Sequence, residues 1–253
     1  MPEENRILIV VPCFNEANRI PLDNFTSFLD EEPAFDFLFV NDGSADGTST
    51  ILSQACASFP GRFFFLELKE NVGKAEAVRK GMLKGLQMGP YQFLGFLDAD
   101  LATPLQELRY MLNYGEFKDG EKVFLFGSRI KILGSHISRN AMRHYFGRIS
   151  ATGASISLKL PVYDTQCGVK LFHQTIVAEI FRDAFTSRWL FDVEIFFRLK
   201  ALLDESTFYK SVLEVPLRTW NEIPGTKILF SDILKVPLEL YRINLRYRNQ
   251  VRF

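Results

Sequence analysis

The first half of the chain alternates short apolar runs with stretches of helical periodicity. Ile7–Val11 is apolar throughout and breaks at Pro12, and a helix pattern follows through about Leu29. Phe35–Val40 is the next apolar run, ending in Asn41-Asp42-Gly43-Ser44-Ala45-Asp46-Gly47-Thr48, and the turn formers in that loop predict a helix over Thr48–Phe59. Arg62–Leu68 predicts a third strand. Asn71-Val72-Gly73-Lys74 opens an amphipathic helix reaching about Met88, and Phe93–Leu97 is a fourth strand. Apolar runs of this length mark strands buried on both faces. Strand and helix in alternation, joined by short loops, predict a parallel sheet with crossover helices, a Rossmann-like α/β fold.

Beyond a strand at Val123–Gly127 the pattern changes. His136–Leu160 predicts a helix with Met142, Tyr145, Phe146 and Ile149 as its apolar stripe. Trp189–Leu203 predicts another helix, and Phe208–Val215 predicts a strand. No internal repeat or linker breaks the chain. The expectation is one domain over residues 1–253, with a C-terminal elaboration.

The fourth strand ends abruptly in Asp98-Ala99-Asp100-Leu101-Ala102-Thr103-Pro104, with Pro104 suited to a helix's first turn. Residues two apart on extended chain share a side, so both carboxylates can converge at the strand's carboxyl end. Ligands of open α/β sheets bind there. Two like charges held together need a cation, and hard oxygen donors suit Mg²⁺ or Mn²⁺ completed by phosphate oxygens. The alternative is that Asp98 only ends the strand and Asp100 only caps the next helix.

Composition narrows the classes. Lys+Arg and Asp+Glu both number 30 in 253 residues, so net charge gives no case for nucleic-acid binding. A hydrophobic content of 47% fits a globular chain with a large core, and 25 phenylalanines suggest that some line a binding surface. Cys13, Cys56 and Cys167 have no paired spacing, which predicts reduced thiols in a cytosolic protein and no zinc site. His136, His144 and His173 likewise have no metal spacing. The N-terminal residues carry no basic region followed by an apolar stretch, which predicts no secretory leader, and no apolar run is long enough for a membrane span. Neither a Gly-x-Gly-x-x-Gly nor a Gly-x-x-x-x-Gly-Lys-Ser/Thr phosphate loop occurs.

Charge is uneven along the chain. Gly127–Tyr163 contains no Asp or Glu but carries Arg129, Lys131, Arg139, Arg143, Arg148 and Lys159. From Lys227 onward six Lys/Arg face only Asp232 and Glu239, among many apolar residues. That tail reads either as a helix lying on an anionic lipid surface or as one packed on the domain with a solvated basic face.

Four motifs occur in order: Val11-Pro12-x-x-Asn15-Glu16, Val40-Asn41-Asp42-Gly43-Ser44-x-Asp46-Gly47-Thr48, Asn71-x-Gly73-Lys74 and Asp98-Ala99-Asp100. Together they resemble family 2 glycosyltransferases of the GT-A fold, a mainly parallel mixed sheet flanked by helices. Gly127-Ser128-Arg129, Asp164-Thr165-Gln166-Cys167-Gly168-Val169-Lys170-Leu171-Phe172, Arg188-Trp189-Leu190-Phe191-Asp192-Val193-Glu194 and Trp220–Lys227 narrow the resemblance. It is then to the polyprenyl-phosphate members, above all the dolichyl-phosphate β-glucosyltransferases, and covers roughly Ile7 to Tyr247.

The resemblance implies inverting transfer of a hexose from a UDP-sugar to a polyprenyl phosphate, with a nucleotide-sugar-binding half at 1–127 and an acceptor-binding half with basic amphipathic helices at 128–253. Pro12, Asn15, Glu16, Asp42, Gly73 and Lys74 would line the nucleotide sugar, Asp42 touching base or ribose. Asp98 and Asp100 would hold the metal on the donor diphosphate. Related mannose synthases have a further Gln ligand where this chain has Ala102, which leaves a third protein ligand from that loop in question. Arg129, Arg139, Arg143 and Gln166 would meet acceptor phosphate, the Arg139–Arg148 helix lying near a membrane. The implied location is cytoplasmic, peripheral on the inner face of the membrane.

A phosphate monoester is mostly dianionic at neutral pH, its second pKa being about 6, so as acceptor it needs cations more than a base. An alcohol acceptor would need a carboxylate base, and Asp164, Asp192 and Glu194 are the candidates. Asp164 could instead only cap the Thr165 turn, and Asp192 and Glu194 could be solvent-facing helix residues. Trp189 and Trp220 read as core or platform aromatics. Transfer to a soluble saccharide and non-catalytic nucleotide-sugar binding are the competing functions. A nucleotidyltransferase would want a basic glycine-rich loop where Pro12-Cys13-Phe14-Asn15-Glu16 stands.

Overall fold

A computed structural model describes residues 6–115, 122–138, 141–223 and 230–253, without the side chains of 141–147, 149–150 and 230–235. The Met142–Ile149 stripe, Arg139, the Arg143 side chain and Pro224–Lys227 therefore lie outside what is described.

The first half follows the sequence pattern closely. β1 (Ile7–Cys13), α1 (Leu22–Glu31), β2 (Phe35–Asp42), α2 (Thr48–Ser58), β3 (Phe63–Leu68), α3 (Lys74–Leu86), β4 (Phe93–Leu97) and α4 (Gln106–Asn113) alternate as expected. β1 does not stop at Pro12. Its pairing with β4 ends at Val10, while pairing with β2 continues to Cys13. One side of β1 is thus without a partner where the proline sits, and there a missing N–H is tolerated.

The rest comprises β5 (Phe124–Ser128), β6 (His136–Ser138), α5 (Ala141–Leu158), β7 (Val169–His173), α6 (Gln174–Phe181) and α7 (Phe191–Leu202). These are followed by α8 (Glu205–Ser211), β8 (Val212–Pro216), β9 (Thr219–Asn221) and α9 (Phe230–Tyr247). Two expectations need correction. His136–Ser138 is not helical but pairs in parallel with Thr219–Asn221, so the helix begins at Ala141. Phe208–Val215 is not one strand: Asp204 accepts from the Thr207 amide at 3.0 Å and caps α8, and the strand starts only at Val212.

Seven strands form one sheet in the order β3-β2-β1-β4-β7-β5-β8. β7 runs antiparallel to β4 and β5, and the remaining pairs are parallel. Alternate residues of each strand feed two apolar layers. Leu8, Val10, Leu38, Val40, Leu94 and Phe96 enter one, and Ile9, Val11, Phe37, Phe39 and Leu97 enter the other. The abundant phenylalanines go mainly into these layers. Phe25, Phe37, Phe39 and Phe63 meet edge to face with ring centroids 4.9–6.1 Å apart, an arrangement favoured by the ring quadrupole.

The chain order reverses direction across β1, with β2 on one side and β4 on the other. The loops leaving β1, β2 and β4 therefore gather at one crevice, where doubly wound sheets take ligands.

Candidate active site

The four motif loops are tied to one another in chain order. Asn15, held at a φ of 55°, donates its amide to Ser44 Oγ at 2.9 Å and accepts from the Ala45 amide at 3.0 Å. The Glu16 amide donates to Thr48 Oγ1 at 2.8 Å, and the Ala17 amide to Asp46 Oδ2 at 3.2 Å. These bonds lace the Pro12–Glu16 loop to the Asp42–Thr48 loop. Asp42, itself buried, accepts from the Val72 amide at 2.8 Å and the Gly73 amide at 2.9 Å, one on each oxygen. That fixes the loop opening α3, whose first residue, Lys74, forms an ion pair with Asp98 Oδ1.

Asp98 and Asp100 come together beyond β4. Leu101 adopts a φ of 51°, and the Ala102 amide donates to Asp100 Oδ1 at 3.0 Å. The Asp100 carboxyl therefore turns its own loop and does not cap α4, whose first residue is Gln106. Burial raises the Asp100 pKa, and the neighbouring Asp98 charge raises it further. Burial alone would lower the Lys74 pKa, but the carboxylates of Asp98 and Asp192 outweigh it, and the amine is held charged. This is a pair of hard oxygen donors already answered by one cation, a donor set that fits a divalent ion. No group of three or more His, Cys, Asp or Glu is placed to hold a metal among the described residues.

The second half supplies the other wall. Arg129, just after β5, forks onto Asp164, with Nε to Oδ2 at 2.6 Å and Nη2 to Oδ1 at 2.8 Å. Its guanidinium also lies 5.5 Å from the centre of the Trp220 ring. Burial opposes the Arg129 charge, but Asp164 overrides it and raises the pKa. Glu214 of β8 accepts from the Tyr163 and Asp164 amides, each at 2.8 Å, and so orients this pair from behind. Asp164 is thus more than a turn cap. Gln166 is half-buried on the same segment, and Arg148 stacks on Tyr163, 3.7 Å from the ring centre.

Asp192 and Glu194 sit in the first turn of α7, and neither faces solvent. Phe191–Lys200 is buried throughout, so this helix has no polar face to expose them. Glu194, fully buried, accepts from the Thr186 amide at 3.0 Å, the Ser187 amide at 2.7 Å and the Tyr247 hydroxyl at 3.2 Å. Asp192 meets Lys170 Nζ at 2.6 Å, and that ammonium, inside β7 with no exposure, also donates to the Cys167 carbonyl at 2.7 Å. Burial raises the Asp192 pKa, while Lys170 and then Lys74 pull it back.

Sequence reasoning overlooked Lys170, Gly168 and Arg188 as individual residues. A lone lysine inside the apolar run Val169–Phe172 was the available signal for the first. The three cysteines are free, and burial pushes the Cys56 and Cys167 thiols up to about 11.

Such a crevice defines a class. The glycosyl transferase family 2 model matches residues 8–181, and the chain belongs to that family as a nucleotide-sugar-dependent glycosyltransferase. Among curated proteins it is similar to the dolichyl-phosphate β-glucosyltransferase of Drosophila melanogaster, 32% identical over 258 residues, covering 94% of this chain and 74% of the relative. The fold is shared with mannosyl-3-phosphoglycerate synthase from Rubrobacter xylanophilus, with a TM-score of 0.69 at 13% identity over 98% of this chain and 76% of that one. It is also shared with glucosyl-3-phosphoglycerate synthase from Mycobacterium tuberculosis, solved with Mn²⁺, UDP and glucosyl-3-phosphoglycerate. There the TM-score is 0.61 at 14% identity over 96% of this chain and 80% of that one. Among the described residues no helix is long and apolar enough to cross a membrane.

Proposed function

We propose that this chain transfers glucose from UDP-glucose to a polyprenyl phosphate, with inversion at the anomeric carbon. The observation that carries the reading is the engagement of the three carboxylates that are candidates for a base. Asp164 is forked by Arg129, Glu194 is filled by two amides and a hydroxyl, and Asp192 is ion-paired with Lys170. An acceptor that arrives already ionised needs none of them, and a phosphate monoester is such an acceptor. The names of the curated relatives support the same acceptor and sugar.

Asp98 and Asp100 would hold Mg²⁺ or Mn²⁺, which when bound offsets charge on the departing diphosphate. With Asp98 engaged by such an ion, Lys74 would serve as a cation toward that diphosphate. Each Asp42 oxygen keeps a second lone pair beyond its amide bond, available to a ribose hydroxyl or base N–H. Pro12, Asn15 and Glu16 would form the rim beside it. Arg129, preorganised by Asp164 and Trp220, would present its remaining N–H groups to acceptor phosphate, with Gln166 alongside.

A lipid acceptor calls for peripheral membrane contact. Leu238, Tyr241 and Leu245 are exposed along one face of α9, with Arg242 beside them, and Ile132 and Leu133 stand out at the tip of the β5–β6 loop. These side chains support contact with the anionic inner face of a membrane.

The test is transfer from a panel of nucleotide sugars with Mn²⁺ or Mg²⁺, in the presence of polyprenyl phosphate or of free saccharides. Transfer of glucose to the lipid phosphate alone is expected. Transfer to free saccharides without lipid would overturn the reading.

A further inference from the structure

Cations around the crevice are largely spoken for. Lys74 is paired with Asp98, Arg129 with Asp164 and Lys170 with Asp192. Arg188 differs. It is exposed, and among the described residues its partner is not a carboxylate but the Val72 carbonyl, to which Nη2 donates at 3.0 Å. A guanidinium answered by one neutral acceptor retains both its charge and most of its fork.

The loop carrying Arg188 is held on both sides. Before it, Glu194 fixes the Thr186 and Ser187 amides. After it, Ser187 Oγ accepts from the Leu190 amide at 2.7 Å and the Trp189 amide at 3.1 Å, while donating to Glu239 of α9. Arg188 is delivered from this frame onto the start of α3. A Cβ at position 73 would stand 3.3 Å from its Nε and 3.7 Å from its Cζ, so Gly73, at a φ of 90°, lets the guanidinium lie against the backbone. The first turn of α3 has no side-chain cap on its open N–H groups, and its neighbour Lys74 reaches Asp98. A helix N-terminus, a lysine and an arginine with spare donors meet beside the paired aspartates. That combination complements an anion of high charge.

We propose that Arg188 is a phosphate-binding residue of this crevice, exchanging its Val72 carbonyl bond for a two-pronged contact to a substrate phosphate. The assignment rests on the nucleotide-sugar reading above. Donor diphosphate and acceptor monoester share the chemistry, and the experiment separates them.

UDP binding with Mn²⁺ is measured by calorimetry, and KM for a polyprenyl phosphate by transfer assay, in wild type, Arg188→Gln, Arg188→Lys and Arg182→Gln. Glutamine can still donate to the Val72 carbonyl, so a purely structural tether survives in Arg188→Gln. A rise of roughly tenfold or more in the UDP Kd, with acceptor KM unchanged, assigns the contact to the donor. The same rise in acceptor KM alone assigns it to the acceptor. Lysine should restore part of the loss and part of the salt sensitivity, while Arg182→Gln, at an exposed residue paired with Glu179, behaves as wild type. Both constants within about twofold of wild type in Arg188→Gln would overturn the assignment. A wild-type chain that binds no UDP would instead remove the donor reading and this proposal with it.

Discussion

Gly168 borders Asp98 so closely that a Cβ at position 168 would lie 2.2 Å from Asp98 Oδ2 and 2.6 Å from its Cγ. The segment before β7 therefore serves as a wall against which one aspartate of the pair is seated. Only a residue without a side chain leaves that seat open.

Gly168→Ala is expected to displace the Asp98 carboxylate while leaving the sheet intact, because the clashing atoms are the end of a half-exposed side chain. Metal-dependent transfer should fall about tenfold or more, with little change in melting temperature. Wild-type activity in this variant would mean that the site tolerates a moved Asp98.

Asp164 distinguishes a structural partner from a catalytic base. Removing it in Asp164→Ala leaves the largely buried Arg129 guanidinium without its fork, and should cost about 3 kcal/mol of stability, a fall in Tm of roughly 6–12 °C. Thermal melts read against activity decide the role. Activity lost with Tm unchanged would instead identify Asp164 as a base.

Much of this site was legible because its first four loops follow strands whose chemistry changes abruptly, as at Leu97-Asp98 and Val40-Asn41-Asp42. What escaped is long-range. Arg188 reaches Val72 across 116 positions, and no local spacing encodes that contact. β6 and β9 are three residues each and pair only with each other, too short to show a period. The burial of Asp192 and Glu194 depends on α7 being enclosed on all sides, and its apolar residues, spread around the helix with Asp192, Glu194, Arg198 and Lys200 set among them, were the visible hint.

Lys170 and Asp192 form a buried pair whose separation should be costly. Lys170→Met leaves a carboxylate with 6% residue exposure without its ion-pair partner, the more distant Lys74 charge remaining, and is expected to destabilise by about 3 kcal/mol. Adding Asp192→Asn removes the stranded charge and should recover part of that loss. Chemical denaturation of both single variants and the double variant gives the coupling; strictly additive effects would show that the pair does not act as a unit.

His173, at the end of β7, should give acid sensitivity of defined sign. Its ring meets Phe93 edge to face at 5.4 Å, Nδ1 lies 2.9 Å from Thr175 Oγ1, and burial lowers its pKa below the ordinary 6.5. Below that value the unfolded chain takes up a proton that the folded chain still resists. Stability contributed by this group is therefore full above about pH 6.5, falls as pH drops, and levels once pH passes below the folded-state value. Melting temperatures measured from about pH 7.5 to about pH 5.5 should fall more steeply in wild type than in His173→Gln, the difference staying below one proton's worth of slope. Parallel curves would show that His173 keeps an ordinary pKa when folded.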